Sequence, residues 1–175
     1  MKSRLLTLIF VTILISAFSQ EKRHQFNAGF QLGQYQKDFG IGLQVTTPYF
    51  AKQKVAFRLR GNLMFNEHIH KKETTWTPYS NLSLGIIGVA GEINDKIRLY
   101  GEGGALFIFP STELSSEQME FGGYGLFGFE FFMSNGSNYF IEIGGVGTGA
   151  IADKVLYKPI YSNGLIINTG FRFFF

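Results

Sequence analysis

The sequence has no cysteine. This excludes a disulfide framework, a thiol nucleophile, a cysteine-based metal site and a lipoprotein-type lipid anchor. Charge is also sparse: Asp, Glu, Lys and Arg make up 17% of the residues, against about a quarter in ordinary soluble domains, so the chain would make a poor water-facing surface. The formal net charge is +3, but no run of Lys or Arg marks a nucleic-acid groove, and no glycine-rich loop has the spacing of a phosphate cradle. Long apolar runs are missing too. The one continuous stretch, Leu5 to Ala17, has about 13 residues, and a membrane-spanning helix needs about 20.

That stretch follows Lys2 and Arg4 and ends in the small-x-small step Ala17-Phe18-Ser19, the pattern of a secretory signal peptide. Residues 1–19 are therefore expected to be removed, leaving Gln20 as the new terminus and 20–175 as one domain, with no linker or second domain.

Aromatics and glycine are abundant, at 20 Phe, 8 Tyr and 22 Gly. They are arranged with a period of two. Leu165, Ile167, Thr169, Phe171, Phe173 and Phe175 fall on one face of an extended segment, and Asn168, Gly170 and Arg172 fall on the other. The same alternation runs through Phe26–Gln34, Phe39–Thr46, Val55–Phe65, Ser80–Gly91, Ile97–Phe109, Phe121–Phe131 and Tyr139–Gly149, which makes eight segments with the last. Connections alternate in length. Long ones are expected around His68–Thr77, Ser111–Glu120 and Ala152–Ser162, and tight turns at Asn94-Asp95 and Asn135-Gly136, whose residues tolerate positive φ. The pattern predicts an all-β chain: an eight-stranded antiparallel up-and-down transmembrane β-barrel. A water-soluble barrel with the phenylalanines inside is disfavoured by volume, since eight strands enclose a space that this many Phe and Leu side chains would overfill.

The inward face then carries Arg58, Arg60, Arg98 and Arg172 against Glu102, Glu130 and Glu142, all near one end of their strands. Buried charges must be paired, so the set reads as an ion-pair layer that plugs the lumen and holds its register, with a gate or proton relay as the functional alternative. His68 and His70 would share a strand face beside Lys71, Lys72 and Glu73. With Glu67 or Glu73 and Ser80 they suggest a hydrolase-like set, and as His-x-His a metal pair, but the remaining ligands are missing and a solvated loop is the simpler reading. No catalytic, metal or cofactor site is expected. Lys71, Lys72, Lys154 and Lys158 lie in the long connections and would suit phosphates of lipopolysaccharide.

Laid out this way, the chain resembles the small eight-stranded bacterial outer-membrane barrels, the class of the outer-membrane protein A membrane domain and outer-membrane protein X. The resemblance rests on the signal peptide, the alternating segments, the loop asymmetry and the ending Phe171-Arg172-Phe173-Phe174-Phe175. It implies a location in the bacterial outer membrane with both termini periplasmic. It also implies that Phe171, Phe173 and Phe175 form the insertion signal read by the barrel-assembly machinery, and that outer-membrane lipid and lipopolysaccharide are neighbours. The function it implies is non-enzymatic, carried by the long surface loops: adhesion, envelope stability or surface binding. An outer-leaflet lipid A-modifying enzyme is the alternative, although no His-x-Ser pair is present, and a small-solute channel ranks last. No nucleic-acid partner is expected.

Overall fold

The computed structural model describes residues 24–70, 73–134 and 136–175; residues 1–23, where the signal peptide is expected, and Lys71, Lys72 and Asn135 lie outside the described residues. The strands are β1 (Asn27–Tyr35), β2 (Asp38–Thr46), β3 (Val55–His70), β4 (Glu73–Ile93), β5 (Ile97–Phe109), β6 (Glu120–Ser134), β7 (Ser137–Gly147) and β8 (Gly164–Phe174). Each pairs antiparallel with its neighbours in chain order, and β8 returns to β1 from Asn27↔Phe174 to Tyr35↔Ile166, closing the barrel. A closed ring leaves no unpaired strand edge, which is what a bilayer requires of a β-structure.

The pleat sends alternate side chains outward and inward. Leu43, Ile86, Phe127, Ile143 and Phe173 are exposed on the outside, Leu43 at 71%. Gln31, Gln44, Asn62, Asn81 and Asn168 are buried inside. An apolar exterior around a polar interior is the reverse of a soluble barrel and defines the transmembrane kind.

One expected loop is a strand pair instead. Residues 68–70 and 73–77 continue the β3–β4 ladder, with Glu67↔Trp76, His68↔Thr75, Ile69↔Thr74 and His70↔Glu73 in register. The reason is local. Ile69, Thr74, Thr75, Trp76 and Thr77 are β-branched or aromatic, and they favour extending the hairpin over a loop. The β1–β2 connection is a tight turn with Gln36 at φ 55°. At the opposite rim, Asn94 and Asp95 take φ 49° and 52°, the mirror-image turn that suits strand twist.

The two remaining long connections, 110–119 and 148–163, fold together across one mouth of the barrel. Leu114, Ala150, Ala152, Val155 and Tyr161 are buried there with Tyr79, Leu106 and Ile108. Polar bonds clasp the two segments: Lys154 Nζ donates to the Thr112 carbonyl at 2.8 Å, Ser116 N to Asp153 Oδ1 at 2.8 Å, and Ser116 Oγ to Asp153 Oδ2 at 2.5 Å. These Ser116 bonds hold the Asp153 carboxyl below its ordinary value of 3.8. A group with a lowered folded pKa contributes fully above its unfolded pKa and loses that contribution as pH falls through the folded one. The protection of the Ser116 amide hydrogen, measured against its intrinsic exchange rate at each pH, should therefore hold above about pH 4 and fall below it. In Asp153→Asn that step should vanish.

Candidate functional site: a charged plug and a rim cleft

Seven inward charges converge near the rim that carries the chain termini. Glu142 on β7 is the centre. Its Oε1 accepts from Arg172 Nη2 at 2.6 Å, Arg60 Nη2 at 2.9 Å, Arg58 Nη1 at 3.1 Å and the Tyr100 hydroxyl, and its Oε2 accepts from Asn168 Nδ2 at 3.1 Å. Glu102 on β5 takes Arg60 Nη2 at 2.7 Å and Arg58 Nη1 at 2.8 Å on one oxygen, and the Tyr124 hydroxyl at 2.7 Å on the other. Glu130 on β6 bridges Arg172 Nη1 at 2.6 Å and Arg98 Nη1 at 3.2 Å. Every arginine reaches more than one acceptor or ring, which is how a guanidinium fork offsets the loss of water.

An eighth charge completes the set. Glu92 accepts from Arg98 Nε at 2.7 Å, with 30% of its side chain exposed at the rim. This balances Arg58, Arg60, Arg98 and Arg172 against Glu92, Glu102, Glu130 and Glu142. Strict alternation along β4 puts Glu92 outside, but a β-bulge between Val89 and Gly91 inserts an extra residue and restores the face, so Glu92 stands opposite Arg98. A glutamate two residues before an Asn-Asp turn and an arginine three residues after it was the available signal.

Aromatics and glycines shape the layer. The Arg172 guanidinium carbon lies 3.7 Å from the Phe140 ring centre, and that of Arg98 sits 4.8 Å from Tyr49 and 4.9 Å from Phe132, contacts that favour a desolvated cation. Tyr49 belongs to the 47–54 connection, whose residues Ala51, Lys52 and Gln53 all take left-handed φ. With His24, edge-on to its ring at 5.8 Å, it floors the barrel. Inward glycines make room for the long side chains: a Cβ on Gly128 would overlap the hydroxyl-bearing edge of the Tyr100 ring, and one on Gly85 would meet the Tyr124 hydroxyl.

At the other rim, a cleft of about 550 Å³ opens between the β1–β2 turn, the β3–β4 hairpin and residues 156–163. Its floor is Asp38, which accepts from the Tyr79 hydroxyl at 2.6 Å, Asn66 Nδ2 at 2.7 Å and Ser162 N at 2.7 Å. Beside it Tyr161 donates its hydroxyl to Glu120 at 3.2 Å. Burial, then the neighbouring Glu120 charge, raises the Tyr161 phenol and keeps it a donor.

His68 lines this cleft rather than a solvated loop, its Nδ1 3.3 Å from the Asn66 carbonyl. The His70 side chain lies outside the described residues. Ser80 is not a neighbour of His68: it pairs with Leu63 on the outer face, while His68 pairs with Thr75 near the hairpin tip. No group of three metal-type ligands occurs among the described residues. Lys154 is engaged in the clasp with Thr112. On the outer face of β8, Phe171 lies 5.6 Å from Phe30 and 5.3 Å from Tyr139, ring centre to ring centre. The Phe175 amide donates to the Phe26 carbonyl at 3.0 Å.

Fold and interior together define a small eight-stranded transmembrane β-barrel with a filled lumen. No protein-family model matches the chain, and no curated protein matches it by sequence. Among solved structures it is similar to the N-terminal β-barrel domain of Pseudomonas aeruginosa OprF, with a TM-score of 0.57 and 13% identity over 87% of this chain and 98% of that one. Ail, the attachment invasion locus protein of Yersinia pestis, solved in complex with the heparin analogue sucrose octasulfate, gives 0.46 and 12% identity over 85% and 95%. The likeness to the OprF domain shows the shared fold.

Proposed function

We propose that this chain is a non-enzymatic protein of the bacterial outer membrane, with both termini in the periplasm, whose working surface is the rim built by the β3–β4 hairpin and the two clasped connections. The observation that carries this reading is a lumen closed twice. The neutral ion network fills it at one rim, and the apolar lid of Leu114, Val155 and Tyr161 covers it at the other. A closed interior offers no route for solutes, and eight strands leave no porin-type pore. That leaves the outer rim as the surface for adhesion, envelope stability or surface binding, with lipopolysaccharide as its immediate neighbour and Phe171, Phe173 and Phe175 as the insertion signal. The separation of Ser80 from His68 favours this over a lipid A-modifying enzyme.

The absence of native cysteine makes the test simple. A membrane-impermeant maleimide should label Leu156→Cys on intact cells and Asp95→Cys only after the envelope is permeabilised; the reverse pattern would overturn the orientation. Purified barrel should give no discrete conductance steps in a planar bilayer, and lipid A from cells with and without the protein should have the same acyl pattern by mass spectrometry. A conducting pore or an altered pattern would replace this reading with a channel or an enzyme.

A further inference from the structure

We infer that the rim cleft is a binding site for an uncharged oligosaccharide. Its volume of about 550 Å³ falls within the range of roughly 300–1,000 Å³ typical of small-molecule sites. Chemistry narrows the ligand further. Asp38 is 2% exposed and its carboxylate is already engaged by Tyr79, Asn66 and the Ser162 amide, so it organises the floor without offering a charge to a ligand.

Asn66 is the consequence of that arrangement. It is 3% exposed and spends its amide N–H on Asp38, while its Oδ1 has no hydrogen-bond donor in the protein. A buried acceptor without a donor costs stability, and a ligand hydroxyl would recover that cost. Beside it, His68 Nδ1 faces the Asn66 carbonyl. In the tautomer that donates this bond, Nε2 is an acceptor. The floor therefore asks for hydroxyl donors.

The walls ask for something else. Ile69, Leu156, Pro159 and Ile160 are apolar, and Tyr157 stands 87% exposed on a left-handed backbone of φ 66°. A large ring held at the mouth of a cleft offers apolar area at low cost in side-chain entropy. Lys37 at the mouth is answered by Glu67, and Asp38 on the floor is a second carboxylate, so the lining does not draw an anion. A purely apolar ligand would leave Asn66 Oδ1 without a donor, an anion would meet the carboxylates of Asp38 and Glu67, and a cation would find Asp38 already engaged by three donors. A pyranose ring meets both demands: it stacks a C–H face on tyrosine and turns its hydroxyl edge to the floor.

The outward orientation proposed above decides only which sugars reach the cleft in the cell. Binding by the purified barrel is read without it, so failure here and failure of the labelling experiment are distinguishable. The mature barrel, refolded in an amine-oxide detergent that has no sugar headgroup, is titrated with lactose, maltose and cellobiose by saturation-transfer NMR. At least one should bind saturably, and Tyr157→Ala should raise its apparent Kd at least about fivefold while leaving heat-resistant gel mobility unchanged. The proposal is overturned if none of the sugars saturates, if Tyr157→Ala binds like wild type, or if a sulfated lactose binds more tightly than lactose.

Discussion

Replacing Glu142 with leucine is expected to lower the stability of the barrel by about 3 to 5 kcal/mol, the cost of removing one partner from a buried ion pair. Glu142 is fully buried and meets Arg58, Arg60 and Arg172. Without it, these guanidinium groups remain out of water with only Glu102 and Glu130 near enough to balance them, and like charges a few ångströms apart repel strongly in a dry interior. The Tyr100 hydroxyl and Asn168 Nδ2 lose their acceptor at the same time. Glu142→Gln retains the shape and an acceptor, so it should fall between wild type and Glu142→Leu. Urea titration of the barrel in lipid vesicles, followed by its heat-modifiable gel mobility, gives the order. If Glu142→Leu keeps the wild-type midpoint, the network is not what stabilises the lumen.

Gly128→Val should be nearly as damaging although it removes no charge. The Tyr100 ring occupies the space where a Cβ on Gly128 would stand. Valine forces the ring away, and with it the hydroxyl that donates to Glu142 and accepts from Arg172 Nη2 at 3.1 Å. Overpacking costs about 1 to 3 kcal/mol, and the broken hydrogen bonds add to it. Gly125→Val is the matched control. Gly125 lies on the same strand but on the outer face, where the nearest atom to an added Cβ is the Glu102 carbonyl oxygen at 4.0 Å. Valine there meets lipid and suits a strand, so the stability should change by less than about 1 kcal/mol. Equal losses from both would mean that strand glycines matter for backbone freedom rather than for room inside.

The strands were legible because a membrane barrel writes its two faces into alternate residues. Phe39, Ile41, Leu43 and Val45 against Gly40, Gly42 and Gln44 already state which side meets lipid, and the ladder follows. The arginines and glutamates share depth for the same reason: their positions along β3, β5, β6, β7 and β8 are set by local counting. Counting fails wherever the period slips. Glu92 was hidden by the bulge at Val89–Gly91. In sequence the β3–β4 hairpin reads as a loop because His68, His70 and the lysines are polar, yet above a bilayer the outer face of a strand need not be apolar, and pairing continues without that signal. The cleft was the least visible feature. Asp38 and Asn66 come together when β2 pairs with β3, but Ser162, 124 residues beyond Asp38, joins them only after closure and after the last connection folds back over the rim.

The seam between β1 and β8 has a consequence for the order of assembly. Its partners are separated by nearly the whole chain, as in the bond from the Phe175 amide to Phe26. Long-range pairings of this kind form slowly, because the entropy of closing the loop is lost before the contacts are gained. The ion network repeats the demand: Arg172 donates to Gln44 across a separation of 128 residues, and Arg58 to Glu142 across 84. Strands β3 to β6 balance Arg58, Arg60 and Arg98 against Glu92, Glu102 and Glu130, but Glu142 arrives with β7 and its partner Arg172 only with β8, so a sheet that stops at β7 holds one carboxylate in excess. Closure and the last step of charge neutralisation therefore arrive together, with the final strand. Folding should be all or none, and a chain truncated before β8 should stay outside the bilayer rather than wait in it half formed.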